Sequence, residues 1–116
     1  TGDDHYTDLA SLLNDHFKSG KPDFDVLICG NDRAAFVAYQ VLLAKGVRIP
    51  QDVAVMGFDN LVGVGHLFLP PLTTIHIDIP IICETALDLL RNRVLSGGKI
   101  TKSIFVNGTP VFRKSC

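Results

Sequence analysis

"DVLICGNDRAAFVAYQVLLAKGVRIPQDVAVMGFD", residues 25–59, decides the fold. "DVLICG" (25–30) is a short apolar run with β-branched members, closed by a glycine, and reads as a strand buried on both faces. Asn31 or Asp32 can cap the helix that follows to about Lys45, and Gly46 offers it a left-handed ending. After the turn "RIPQD", "VAVMGF" (53–58) repeats the buried-strand pattern. Strand, capped helix, glycine and strand with tight connections make a βαβ unit, so the expected class is α/β: a parallel sheet with flanking helices.

Working outward, Leu9, Leu12, Leu13 and Phe17 recur at helical spacing from Asp8 to Lys18, and Gly20 and Pro22 stop the pattern. "LTTIHI" (72–77) alternates as a third strand. Pro80 opens a helix to about Leu95, with Ile82, Ala86, Leu89 and Leu90 on its inner face, and Gly97-Gly98 ends it. "ITKSIFV" and "TPVFRKS" read as two short strands about the Asn107-Gly108 turn, the second an edge or irregular strand because of Pro110.

Composition narrows the function. The 116 residues are 47% hydrophobic and 20% charged with a formal charge of −1, which suits a soluble globular domain. The basic residues are scattered rather than gathered in a stripe, so this stretch by itself is not expected to bind nucleic acid. No apolar run reaches about 18 residues, so no membrane span is expected. The start, "TGDDHYTD", is unlike a signal peptide. Cys29, Cys83 and Cys116 lie far apart, which fits reduced thiols in the cytoplasm better than a disulfide framework or a zinc site.

Ligands of parallel α/β sheets bind beyond the carboxyl ends of the strands. Asn31-Asp32 and Asp59-Asn60 sit at such ends, and if those strands are neighbours, Asn31 and Asp59 share a crevice. An amide that both donates and accepts, beside a carboxylate acceptor, suits a hydroxyl-rich or amine-bearing small molecule. Asp32 is read as a capping residue and Asp59 as a ligand contact. Catalysis lacks support: Asp59 has no neighbouring carboxylates for Mg²⁺, Cys29 has no activating base, and no phosphate-binding, zinc-protease or nucleophile-elbow motif occurs. No cofactor or metal is expected, and His66 and His76 read as structural. The helix from Asp32 is apolar almost all round. Ala34, Ala38, Val41 and Leu42 can face the sheet, while Phe36, Tyr39, Gln40 and Leu43 point towards a second cover, expected to be another subunit.

"CGNDRAAFVAYQVLLAKGVRIPQDVAVMGFDN" (29–60), "LPPLTTIHIDI" (69–79) and "FRKS" (112–115), in this order and spacing, resemble the effector-binding core of LacI/GalR-type transcriptional regulators. The resemblance implies the periplasmic-binding-protein-like type I fold, present in part and mostly as the C-terminal lobe. Residues of about 1–75 would form that lobe, and about 76–116 the crossover helix and terminal strands. It implies a cytoplasmic homodimer that senses a small-molecule effector, a sugar or a nucleobase. Operator DNA would be bound through a helix-turn-helix domain that these residues do not contain. Asn31 and Asp59 carry over as effector contacts, and Asp4 of "GDD" stands where the family often has an aromatic. Leu61, Val62, Leu67 and Phe68 carry over as a dimer-facing loop. The competing readings are a solute receptor feeding a transporter and a purely structural dimerisation module.

Overall fold

The computed structural model describes residues 4–98 and 102–116, the side chains of 4–6 excepted. The elements in order are α1 (Asp4–Asp15), β1 (Phe17–Lys18), β2 (Lys21–Pro22), β3 (Val26–Ile28), α2 (Asp32–Ala44), β4 (Ala54–Met56), β5 (Thr74–His76), α3 (Ile79–Leu95) and β6 (Thr109–Val111). They divide into two compact units, Thr1–His76 with Pro110–Cys116, and Ile77–Thr109. Residues 110–116, which the sequence reading placed with the crossover helix and terminal strands, cluster with the first unit.

In the first unit β3 and β4 pair in parallel, Leu27 opposite Val55, as the βαβ reading requires. Beyond β4 the chain from Thr73 to His76 continues the parallel arrangement through bridges at Met56–Thr73 and Asp59–His76. α2 covers one face of this array. Its inner face is Ala35, Ala38, Tyr39 and Leu42, a run at helical spacing that meets Val53, Val55 and Leu72 in the core. The helix ends in a two-bond motif: the Gly46 N–H donates to the Leu43 carbonyl at 3.0 Å and the Val47 N–H to the Leu42 carbonyl at 3.0 Å. That geometry needs Gly46 at φ +74°, where a glycine carries no Cβ penalty. α1 packs against α2 and contributes Leu13 to the core.

Several expectations need correction. Phe17 is not on the first helix: α1 stops at Asp15, and Phe17 pairs with Pro22 in a hairpin turned by Ser19 and Gly20, both at positive φ. β3 is not buried on both faces; Val26 and Ile28 are 57% and 73% exposed, and Phe58 beyond β4 is exposed too. α2 supplies one layer, and Val26 and Ile28 line an open groove with Leu9 and Leu12 of α1. Of the expected terminal strands only β6 forms, paired with β5. Residues 102–106 carry no strand, and residues 100 and 101 lie outside the described residues.

In the second unit, Asp78 caps α3 by accepting a hydrogen bond from the Ile81 N–H at 3.1 Å, with Pro80 in the first turn. The helix buries none of its residues. Ile82 and Leu89 of its expected inner face are half-buried, whereas Ala86 and Leu90 are exposed.

Candidate effector-binding edge

The carboxyl ends of β3 and β4 lie side by side. The Cys29 N–H donates to the Met56 carbonyl at 2.8 Å and the Asp32 N–H to the Phe58 carbonyl at 2.8 Å. Asn31 and Asp59 therefore leave adjacent strand ends of one parallel sheet. Asn31 is the cap of α2, its side-chain oxygen accepting from the Ala34 N–H at 2.7 Å. That bond leaves its amide NH₂ without a partner among the described residues. Asp59 is exposed, and its carboxylate is equally unpartnered there. Asp4 opens α1, but its side chain lies outside the described residues.

The backbone at Asp59 is unusual. Asp59 has φ +99° and Asn60 φ +51°, a left-handed pair that L residues other than Asn and Asp visit rarely. Both sides of the turn are pinned. The Asp59 N–H donates to the Ile75 carbonyl at 2.9 Å, and the Asn60 side-chain oxygen accepts from Arg113 Nη2 at 2.8 Å. Arg113 Nη1 donates to the Leu72 carbonyl at 2.6 Å, and its guanidinium fills the space a side chain at Gly65 would need. His76 is exposed with Nδ1 3.4 Å from Asn60 Nδ2, and His66 is exposed.

Asp32 does not do the capping expected of it. Asn31 takes that role, and Asp32, in the first turn of α2, is fully buried. Its Oδ2 accepts from the Leu61 N–H at 2.8 Å and its Oδ1 from the Thr74 hydroxyl at 2.7 Å. A buried carboxylate needs such donors, and the N-terminal end of a helix favours its charge. The sequence held one sign of this: Gly57, whose absent Cβ leaves room for the Asp32 carboxylate and for Leu72. The neighbouring thiol responds to the same environment. Burial, with the Asp32 charge adding to it, pushes Cys29 up to about 11, so it is a neutral packed thiol. Among the described residues no group of three His, Cys, Asp or Glu side chains could hold a metal ion, and no helix is long and apolar enough to cross a membrane.

The residues expected to face a second subunit separate into two sets. Phe36, Gln40 and Leu43 form an exposed stripe on α2, and Leu61 and Val62 lie across from its start. Phe36, Gln40, Leu61 and Val62, with Arg33 and Val64, line an open groove of about 550 Å³. Val62 is 100% exposed and Leu67 80%. Tyr39 and Phe68, by contrast, are each only 4% exposed, and the expectation for them is corrected. Their rings meet edge to face at 4.8 Å, and the Tyr39 hydroxyl donates to the Pro70 carbonyl at 3.0 Å. Burial raises the Tyr39 phenol to about 12 and keeps that donor protonated. The two rings anchor the loop in the chain's own core and have no surface left to offer a partner.

A parallel βαβ unit with free polar groups at its carboxyl ends has the arrangement in which open α/β sheets place their ligands. The family model described as "Periplasmic binding proteins and sugar binding domain of LacI family" matches residues 1–113, and the chain belongs to that family. It is 81% identical over 103 residues to the sucrose operon repressor of Escherichia coli, covering 88% of this chain and 30% of the relative. It is 38% identical over 89 residues to the transcriptional repressor PurR of Salmonella typhi, covering 77% of this chain and 26% of that protein. A LacI family regulator from Enterococcus faecalis solved with bound ribose superposes with a TM-score of 0.77 at 26% identity, over 95% of this chain and 40% of that one. The chain thus spans about a third of the relatives it matches, and those relatives are named as repressors rather than enzymes.

Proposed function

We propose that these residues are the sugar-sensing edge and partner face of a transcriptional repressor's effector-binding domain. The carrying observation is the pair of unpartnered polar groups, the Asn31 amide and the Asp59 carboxylate, at neighbouring strand ends of a chain 81% identical to a sucrose operon repressor over 103 residues. A carboxylate accepts hydrogen bonds from two adjacent sugar hydroxyls, and the amide donates to a third oxygen. Neither group needs to shed or take a proton to do so, and no turnover is involved.

The groove on α2 and the exposed Val62 and Leu67 are the surface for a second copy. Effector binding then acts by population shift. A sugar held more tightly by one arrangement of the dimer displaces the equilibrium towards it, by no more than the difference in affinity. Operator DNA is contacted by a helix-turn-helix domain outside these 116 residues, in the cytoplasm.

Calorimetric titration of the complete encoded protein with sucrose, fructose, glucose, ribose and hypoxanthine tests the reading. One sugar binds, and Asp59→Ala weakens it by about 10- to 100-fold, the worth of hydrogen bonds to a charged acceptor. Binding of hypoxanthine alone moves the effector class to nucleobases. Equal sugar affinity in wild type and Asp59→Ala removes Asp59 from the site.

A further inference from the structure

We propose that Asp32 is a positioning residue that transmits occupancy of the Asn31–Asp59 edge to the groove formed by α2 and residues 61–64. This rests on the ligand reading above and adds to it the route by which the partner face senses the sugar.

The connections are short and converge on one buried side chain. Asn31 immediately precedes Asp32, and Asp59 lies two residues before Leu61. The Asp32 backbone N–H holds the Phe58 carbonyl at 2.8 Å, and its Oδ2 holds the Leu61 N–H at 2.8 Å. The four residues 58–61, which contain both left-handed residues, are therefore fastened at each end to the first turn of α2. A ligand that draws Asn31 and Asp59 together acts across this fastening. Leu61 is also a wall of the groove, facing Phe36 and Gln40 of the same helix. A change at the edge thus reaches the Leu61 wall of the groove through Asp32, which sets how firmly that wall is held against α2.

Two further features make the carboxylate a rigid link rather than a loose one. Asp32 is 0% exposed and makes no ion pair among the described residues, so its two oxygens rely on the neutral donors that hold them. Its second oxygen is fixed by the Thr74 hydroxyl, which in turn accepts from the Asn60 N–H at 3.3 Å. Thr74 is itself fully buried on β5, so the link is referred to the sheet and not to solvent. Left-handed backbone at a non-glycine residue persists only where its surroundings hold it, and Asp32 and Thr74 supply that hold at Leu61 and Asn60.

The test uses the complete encoded protein and the sugar found in the titration, sucrose first. Amide hydrogen exchange is read at Leu61 to Val64 with and without saturating sugar, beside calorimetry on each variant. In wild type, sugar slows exchange there by about tenfold or more. Asp32→Asn keeps the response, because its oxygen can accept from Leu61 while its NH₂ donates to the Thr74 hydroxyl. In Asp32→Ala and Thr74→Val, each read at a sugar concentration that saturates that variant by calorimetry, the slowing falls below about twofold. Thr74→Val keeps the size and strand preference of the residue, so it decides the matter if Asp32→Ala does not fold. Sugar binding with a wild-type loop response in Thr74→Val overturns this inference alone. No sugar binding by wild type overturns the ligand reading and this one together.

Discussion

Ser115→Ala is the sharpest probe of how the chain's last residues complete the sheet. Ser115 is fully buried, and its hydroxyl bridges two strands: it donates to the Val55 carbonyl at 2.6 Å and accepts from the Thr73 N–H at 2.8 Å. The Ser115 carbonyl also accepts from the Val55 N–H at 2.8 Å, so the backbone stays in place when the hydroxyl goes. Alanine at this position strands both of the hydroxyl's partners. The Thr73 N–H loses its acceptor inside the core, at a cost of about 2 kcal/mol. The Val55 carbonyl keeps the weak Cys116 thiol donor at 3.3 Å, so its share is smaller, about 1 kcal/mol. The sum, about 3 kcal/mol, is a large part of the 5–15 kcal/mol that typically holds a domain together. With a urea m-value of about 1.5 kcal/mol/M for a domain of this size, the midpoint falls by about 2 M with unchanged slope. Urea unfolding followed by far-ultraviolet circular dichroism reads this directly. A midpoint that moves by less than about 0.3 M at unchanged slope would falsify the bridging role, because two orphaned groups in a dry core cannot cost so little.

Two further outcomes follow from local geometry. Gly57→Ala places a methyl group against the Asp32 carboxylate and 2.9 Å from Leu72 Cδ2, so it destabilises by about 1–3 kcal/mol in the same assay. Gly30→Ala, with nothing within 4 Å of its Cβ position, stays within about 0.5 kcal/mol of wild type. Asp52 tests electrostatics at the turn before β4: the Arg48 guanidinium, with the Arg48 backbone N–H, lowers its carboxyl from 3.8 to about 2. The unfolded chain therefore binds more protons between these values. Stability contributed by the pair is present above pH 3.8 and is lost as pH falls towards 2. Acid titration of stability shows this as a gap between wild type and Asp52→Asn at pH 5 that closes by pH 2; a gap of constant size sinks the assignment.

The βαβ core was legible because each of its signals is local. A β-branched run, a capping amide at Asn31 and a glycine at 46 each act within a turn of their own position, and each appears where the chain needs it. The hairpin at 17–22 was missed for the same reason in reverse. Phe17 follows Leu13 at a spacing that suits a helix, yet Ser19 and Gly20 turn the chain, and the ring packs beside the core beneath Lys45, 4.6 Å from the ammonium. Periodicity also fails on α2, where apolar residues occur all round. It cannot say which side of such a helix is the inside, and Tyr39 turned inwards because Phe68, 29 positions away, folds back to meet it.

The site shows the same division. Asn31 and Asp59 were legible as strand-end groups, since strand ends are read from the strands themselves. Asp32, Thr74 and Arg113 were not, because what makes them matter is where their hydrogen bonds end, and those ends lie 29 to 53 residues away. A carboxylate one position beyond a helix cap looks like any first-turn acid until the loop that it holds is in place. Groups at strand ends are thus declared by local sequence. Groups whose partners lie far along the chain are declared only by the fold, which is why Thr74→Val, 15 positions from Asp59 and 43 from Asn31, tests the proposed response apart from the proposed binding.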